Sequence, residues 1–405
     1  MAFHHGLSGL NAASKKLDVV GQNIANSSTT GFKASRAEFT AMVASAMGGC
    51  GCAGNGIGVS TQVSQQFSQG VITPTSNVLD MAINGNGFFQ VQTGSGETAY
   101  TRMGNFQLSK AGDLITSHGD KVMGYPLDPQ TGDITGQPVA INFPSGGMGA
   151  KQTTQIAATL NLDARTEPGT PRAASGTSLQ VYDTLGIAHP VQIYFEKQAP
   201  QGSNTWEVFD GLDDPAAVPP VVANSLGTIT FNADGSIQTN PATVNFAVAP
   251  DPATGATAPI QLSLDLSKAT QYGNSFAVSR LTQDGYAAGE FIGVNVSEDG
   301  TLMASYSNGV TRGEARIALA TFTNPQGLLP TSNGNWVMSS TSGEPVPGTP
   351  GSGSFGSITG SALEESNVDL TAELVEMMNA QRYYQANAQT IKTQDQVFST
   401  ITNLR

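Results

Sequence analysis

Cysteine and histidine are nearly missing from this chain, and charge is scarce. Its 405 residues hold only two cysteines, Cys50 and Cys52, two positions apart in a glycine-rich run. A bridge between such close neighbours would be badly strained, which excludes a disulfide framework as a source of stability. Two thiols with no histidine nearby also fall short of a zinc site. The pair reads as small residues of a loop, with a cross-chain disulfide as the alternative. Gly49, Gly51 and Gly54 have the spacing of a dinucleotide fingerprint, but the run follows no strand and opens no helix. The four histidines, His4, His5, His118 and His189, have no serine or cysteine beside them in a nucleophile setting. They read as ordinary solvent-exposed residues. Asp213-Asp214 and Glu364-Glu365 read as a solvated turn and a helix start. No catalytic, metal-binding or cofactor-binding residue emerges, and the expectation is a protein that is not an enzyme and carries no cofactor.

Charged residues make up 12% of the sequence, with a net charge of −13. A surface of that sign disfavours nucleic acid and anionic membranes as partners. No segment reaches the ~18 consecutive apolar residues of a membrane helix. The first residues lack the basic-then-apolar order of a secretory signal. That predicts a cytoplasmic protein, or one exported by a route without cleavage.

What the chain does have is glycine (47), proline (21) and enough apolar residues (39%) to build cores. This is a turn-rich, β-rich composition, long enough for two or three domains. Strands are expected at 87–92, 177–183, 189–196, 205–209, 227–237, 292–296, 301–306 and 317–322, separated by Asn-Gly, Asp-Gly and Gly-Asp turns. Residues 213–220 and 249–259 read as exposed loops, and a weak helical stretch is expected over 35–47.

The two ends are written differently. Phe3, Leu10, Leu17 and Ile24 recur every seven residues, with Leu7, Ala13 and Val20 on the same helical face. Leu363, Leu370, Met377, Tyr384, Ile391 and Phe398 keep the same step, with Leu374 beside them. Such stripes must be buried against other helices. Helices are predicted over 3–26, ending in the turn cluster at 26–31, and from Leu363 onward. Pairing within one chain is the simplest reading. Gln381, Asn387, Gln394 and Asp395 interrupt positions neighbouring the second stripe, however, so each helix is thinly apolar, one isolated pair would bury little area, and packing among several copies is physically attractive.

If the terminal helices pair, the chain is nested. The expected fold is α+β and mainly β, with a coiled-coil-like terminal helical domain (1–26 and 363–405) and nested β-rich domains beyond it. Connecting segments fall at 27–70 and 340–362, a middle β-domain at 71–145 and 284–339, and an inserted outer β-domain at 146–283. Antiparallel ladders between the N-terminal and C-terminal parts of the middle domain would follow.

These same ends resemble the bacterial flagellar rod and hook axial proteins. The carrying residues are Leu7-Ser8-Gly9-Leu10, Gly21-Gln22-Asn23-Ile24-Ala25-Asn26, Thr30-Gly31-Phe32-Lys33 and the run 362–404. Asn84-Gly85-Asn86-Gly87-Phe88-Phe89 is shared by several members. Val181–Gly186, 283–289 and 296–302 resemble the hook branch, whereas the much shorter distal-rod branch is the alternative; residues 46–58 lie outside the resemblance. A secreted β-rich adhesin or carbohydrate-active enzyme is the reading of a different class. The resemblance implies a self-assembling hook subunit, exported by the flagellar type III apparatus without a cleavable signal. It implies a homopolymer at the extracellular hook and basal body, working as a torque-transmitting universal joint, with hook cap, distal rod and hook–filament junction proteins as partners. It nominates Asn23, Asn26, Gly31, Phe32 and Lys33 as motif residues. The assembly interface is then Phe3, Leu7, Leu10, Leu17, Ile24, Leu370, Leu374, Met377, Tyr384, Ile391 and Phe398.

Overall fold

The structure is a computed structural model that describes residues 2–44, 56–128, 131–144, 146–200, 202–213, 223–239, 242–249 and 259–403. Cys50 and Cys52 lie outside the described residues, as do most of the loops expected at 213–220 and 249–259. Two helices pair with each other, α1 (Ala2–Ala25) and α2 (Leu370–Asn403), and the remaining elements are strands and short turns. Among the described residues no helix is long and apolar enough to cross a membrane.

α1 stops where the sequence says it should. The Asn26 amide turns back to Gln22 and Asn23, and Gly31 takes a φ of 67°. A Cβ on Gly31 would also stand 2.7 Å from the backbone of Arg102, so glycine is required there twice over. α2 starts later than the periodicity suggests. Asp369 caps it, its carboxylate accepting the amides of Thr371 (2.9 Å) and Ala372 (3.2 Å). Leu363 and Glu364 instead belong to the Ala362–Glu364 strand, paired antiparallel with Ile72–Pro74. The apolar step continues across this boundary, but the capping aspartate decides where the helix begins.

The helical expectation over 35–47 is overturned for 35–44, and 45–47 lie outside the described residues. Strand β1 (Ser35–Ala44) pairs antiparallel with β2 (Gly56–Gln65), from Ser35 opposite Gln65 to Ala44 opposite Gly56. Ala37 and Phe39 alternate with Arg36 and Glu38, a period of two that fits a strand better than a helix turn. Likewise the strand expected at 227–237 is broken. The ladder covers Ser225–Thr230, after which Asn232 and the positive φ of Gly235 turn the chain back so that Phe231 bridges Ile237.

The chain divides into two compact units, Met1–Ser145 with Gly293–Ser305 and Thr311–Arg405, and Gly146–Ile292 with Tyr306–Val310. In the first, strands from early in the chain pair antiparallel with strands from late in it. Met81–Asn84 pairs with Ser357–Gly360, Phe88–Gln92 with Leu319–Thr321, Thr98–Thr101 with Asn335–Val337, and Lys121–Pro126 with Thr311–Ile317. Their inward side chains form a core of Phe88, Tyr100, Ala320, Phe322, Leu328 and Trp336, with Phe67 against it. Phe67, Phe88 and Trp336 meet edge to face, with centroids 5.4 to 5.7 Å apart.

The second unit is a two-sheet β-structure. Gln155–Asp163, Thr243–Val248, Ile260–Asp265, Thr270–Tyr272 and Ala277–Gln283 form one sheet. Gly176–Tyr182, Ala188–Lys197, Thr205–Phe209 and Ser225–Thr230 form the other. Alternating residues from both, among them Leu160, Leu162, Ile193, Phe195, Leu262 and Leu264, close over Trp206, whose indole N–H donates to Gln271 Oε1 at 3.1 Å.

Candidate assembly interface

The helix pair comes closest at its glycines. Gly6 and Ala13, seven apart, are buried on α1, as are Val19 and Val20 nearer its end, and Ala380 is wholly buried on α2. A Cβ on Gly6 would stand 3.0 Å from Ile391 Cγ1, and one on Gly9 would stand 2.8 Å from Asn387 Oδ1. The backbones therefore approach closely along a narrow seam, which has little room for leucines.

Consequently most of the large apolar residues stay outside it. Leu7 is 42% exposed, Leu370 and Leu374 46% each, and Tyr384 39%. Leu10, Leu17, Ile24, Met377 and Ile391 are half-buried, and Ile391 lies against Gly6. Phe3 and Phe398 lie on the helices, but their side chains fall outside the described residues. Val375, Met378 and Tyr383, which the seven-residue step passes over, are more exposed still. Fully burying each such side chain would contribute about 1.5–3 kcal/mol.

At the base of the helices the motif residues tie segments together. Asn23, 1% exposed, accepts the Ser35 amide at 2.9 Å and donates to the Ser35 carbonyl (2.8 Å) and to Glu373 Oε1 (3.0 Å). Asn26 donates to the Gln22 carbonyl within the helix end, and the Phe32 carbonyl accepts the Asn367 amide at 3.5 Å. Lys33 is buried, its ammonium 2.6 Å from Glu364 Oε1 and 2.8 Å from the Ser68 carbonyl. Burial pushes the Lys33 amine below its ordinary value, partly offset by the carboxylate beside it.

Three partners in this region escape a reading of the sequence. Glu364 is 2% exposed in a strand and is not a solvated helix start; its second oxygen takes Arg102 at 3.2 Å. Asn367 accepts the Ala34 amide and donates to the carbonyls of Gln66 and Ser68. Only long-range strand pairing brings these groups together, and no local spacing announces it. His189 differs from expectation too: it is half-buried, with Nε2 3.0 Å from Asp183 Oδ2. Among the described residues no group of histidine, cysteine and carboxylate side chains could hold a metal ion.

Comparison with known proteins agrees along the whole chain. Family models match for the flagella basal body rod protein at residues 3–33, the flagellar hook protein FlgE/F/G D1 domain at 82–159, the flagellar basal body protein FlaE D2 domain at 161–286 and the flagellar basal body rod FlgEFG protein C-terminal region at 359–404. The chain is 39% identical to the flagellar hook protein FlgE of Escherichia coli (strain K12), over 100% of both chains. It is 36% identical to that of Rhizobium meliloti (strain 1021), over 99% of this chain and 98% of the relative. The crystal structure of Helicobacter pylori flagellar hook protein FlgE2 shares the fold, with a TM-score of 0.53 at 15% identity over 72% of this chain and 100% of that one. From the rod-type N-terminal helix to the matching C-terminal helix, the chain belongs to the flagellar hook protein family.

Proposed function

We propose that this hook subunit polymerises by burying the outward apolar faces of its helix pair against the pairs of neighbouring copies, so that the helices line an inner tube. The carrying observation is a mismatch within the pair: the helices come closest at Gly6 and Gly9, while Leu7, Leu370, Leu374 and Tyr384 remain exposed. Side-by-side packing of many copies removes that surface from water, as closed symmetric or helical assembly requires. Phe3, Leu10, Leu17, Ile24, Met377, Ile391 and Phe398 complete the stripe.

Export as an unfolded chain through the flagellar type III apparatus is followed by folding and, on incorporation, by burial of the outward helix faces against neighbouring copies. The β-units then form the outer wall, where neighbouring subunits slide as the hook turns while bent. A surface poor in charge suits sliding without strong register-locking pairs. The tube joins the distal rod at one end and the junction proteins at the other, growing beneath a cap.

The test is a Leu370→Asp, Tyr384→Asp variant of the full chain. It is expected to lose polymerisation, seen by electron microscopy, while its β-rich circular dichroism is retained. Tubes of normal width from that variant would sink the proposal.

A further inference from the structure

The buried ions at the root of the helices form a joint whose composition is unusual. Lys33, Arg102 and Glu364 are 0%, 4% and 1% exposed at their side chains, so two cations surround one carboxylate with almost no solvent. Glu364 Oε1 also accepts the Gly70 amide at 2.9 Å, and the Glu364 carbonyl accepts the Gly31 amide at 2.7 Å. Arg102 donates to the Gly85 carbonyl at 2.9 Å and lies over the Phe88 ring, while its Nε has no hydrogen-bond partner among the described residues.

Each segment that runs between the sheet and the helices or hairpin contributes to this cluster. Gly31 and Lys33 lie on the way out of α1, Ser68 and Gly70 on the way from β2 to the sheet, and Glu364 on the way from the sheet to α2. Arg102 belongs to the sheet side, directly after the Thr98–Thr101 strand. Glycines let the backbones touch: a Cβ on Gly70 would stand 2.0 Å from the Glu365 carbonyl oxygen. Asn367 adds a second tie to Ala34, Gln66 and Ser68.

Stability alone does not account for such a cluster. Well-packed apolar residues in place of a buried ion network are often neutral or stabilising, whereas a directional network fixes one geometry. We infer that Lys33, Arg102 and Glu364 are positioning residues forming a rigid joint, which sets the angle between the three connecting segments and the sheet and carries torque from helices to β-structure. The torque-bearing role rests on the hook reading; the rigidity of the segments does not.

The obvious variant, Glu364→Gln, leaves two buried cations and is expected to unfold the region, so it decides little. The discriminating variant is Lys33→Met, Arg102→Met, Glu364→Leu, which keeps volume and removes charge. In hydrogen exchange on the soluble full chain, the amides of Gly31, Ala34, Gly70 and Glu365 are expected to exchange at least ~100-fold faster than in the parent, with the 88–92 and 121–126 amides within about threefold. Unchanged protection at those four amides would overturn the joint. So would collapse of the whole sheet, because the residues would then be core. Hooks of the triple variant are expected to form but to be torsionally softer, and equal stiffness would overturn the torque-bearing role. Failure of the parent chain to form tubes would instead count against the hook reading and leave the exchange result standing.

Discussion

Gly9 faces Asn387 so closely that a Cβ on the glycine would stand 2.8 Å from Oδ1 and 2.9 Å from Nδ2. The contact joins a helix near the start of the chain to one near its end, and the neighbour is the tip of a side chain that can move. Gly9→Ala should therefore weaken helix pairing modestly, by about 1 kcal/mol, while Gly9→Leu should abolish it. Because the clash is with one amide, Asn387→Ala should restore most of what Gly9→Ala loses. A double-mutant cycle on polymer yield or melting temperature checks this. Simple additivity of the two changes would show that the seam runs elsewhere.

A harsher steric limit lies in the sheet. A Cβ at Gly104 would stand 1.6 Å from the Met81 carbonyl oxygen, an acceptor that belongs to the backbone and cannot swing away. Gly104→Ala is expected to destabilise the first unit by roughly 3 kcal/mol or more. At Gly21 nothing lies within 4 Å, so Gly21→Ala should stabilise α1 by about 0.5–1 kcal/mol through helix propensity alone. Thermal melts of the two variants should move in opposite directions.

Acid should act on the second unit through Asp284. Desolvation, the largest single influence, raises this carboxyl, but the Gln155 and Thr154 amides, the Thr154 hydroxyl and Lys151 together outweigh it and hold the group at about 2. The ordinary aspartate value is 3.8, so the unfolded chain binds the proton first. The stabilisation is fully present above the unfolded value and is lost as pH falls through 3.8 toward about 2. The partly exposed site limits it to about 1–2 kcal/mol. Asp284→Asn should lower stability at neutral pH by that amount and flatten the acid limb of a pH–stability curve. An unchanged limb would place the acid sensitivity elsewhere.

The ends of this fold were legible because periodicity is a local signal. A seven-residue step needs no knowledge of partners, and Asn26 to Gly31 marks a helix end from composition alone. The nested sheet was legible only by inference from paired termini. Two local signals compete at the second helix: Leu363 continues the stripe, yet Asp369 caps the helix and Glu364 belongs to a strand. Over Ser35–Ala44 the pairing with Gly56–Gln65 decides the conformation, and the alternation of Ala37 and Phe39 with Arg36 and Glu38 is the local trace of it. The ion joint was invisible for a stronger reason. Lys33, Arg102 and Glu364 meet across separations of 331 and 262 residues, and nothing near any one of them reports the others. Nor could periodicity predict that the helices would meet on Gly6 and Gly9, leaving leucines outside, since a helical wheel ranks residues by apolarity and close packing can favour the small ones.

Asn23 offers the sharpest test of how the hairpin is held to the helices. Its amide acts as a surrogate strand edge for Ser35, accepting the N–H and donating to the carbonyl, and its remaining N–H reaches Glu373. Asn23→Ala would leave the part-buried Ser35 amide and carbonyl without this partner, at about 1 kcal/mol. Asn23→Asp keeps the shape and the acceptor but turns a donor into a second acceptor facing both the Ser35 carbonyl and the Glu373 carboxylate. At neutral pH Asn23→Asp should therefore be the more damaging of the two, despite being the smaller change in volume. Adding Glu373→Gln to Asn23→Asp should recover part of the loss, because the amide can donate where two carboxylates repelled each other, whereas the same addition to Asn23→Ala should recover nothing. Melting temperatures of the four chains decide it. If Asn23→Asp proves milder than Asn23→Ala, the asparagine is held by packing and its hydrogen bonds do not set the position of the hairpin.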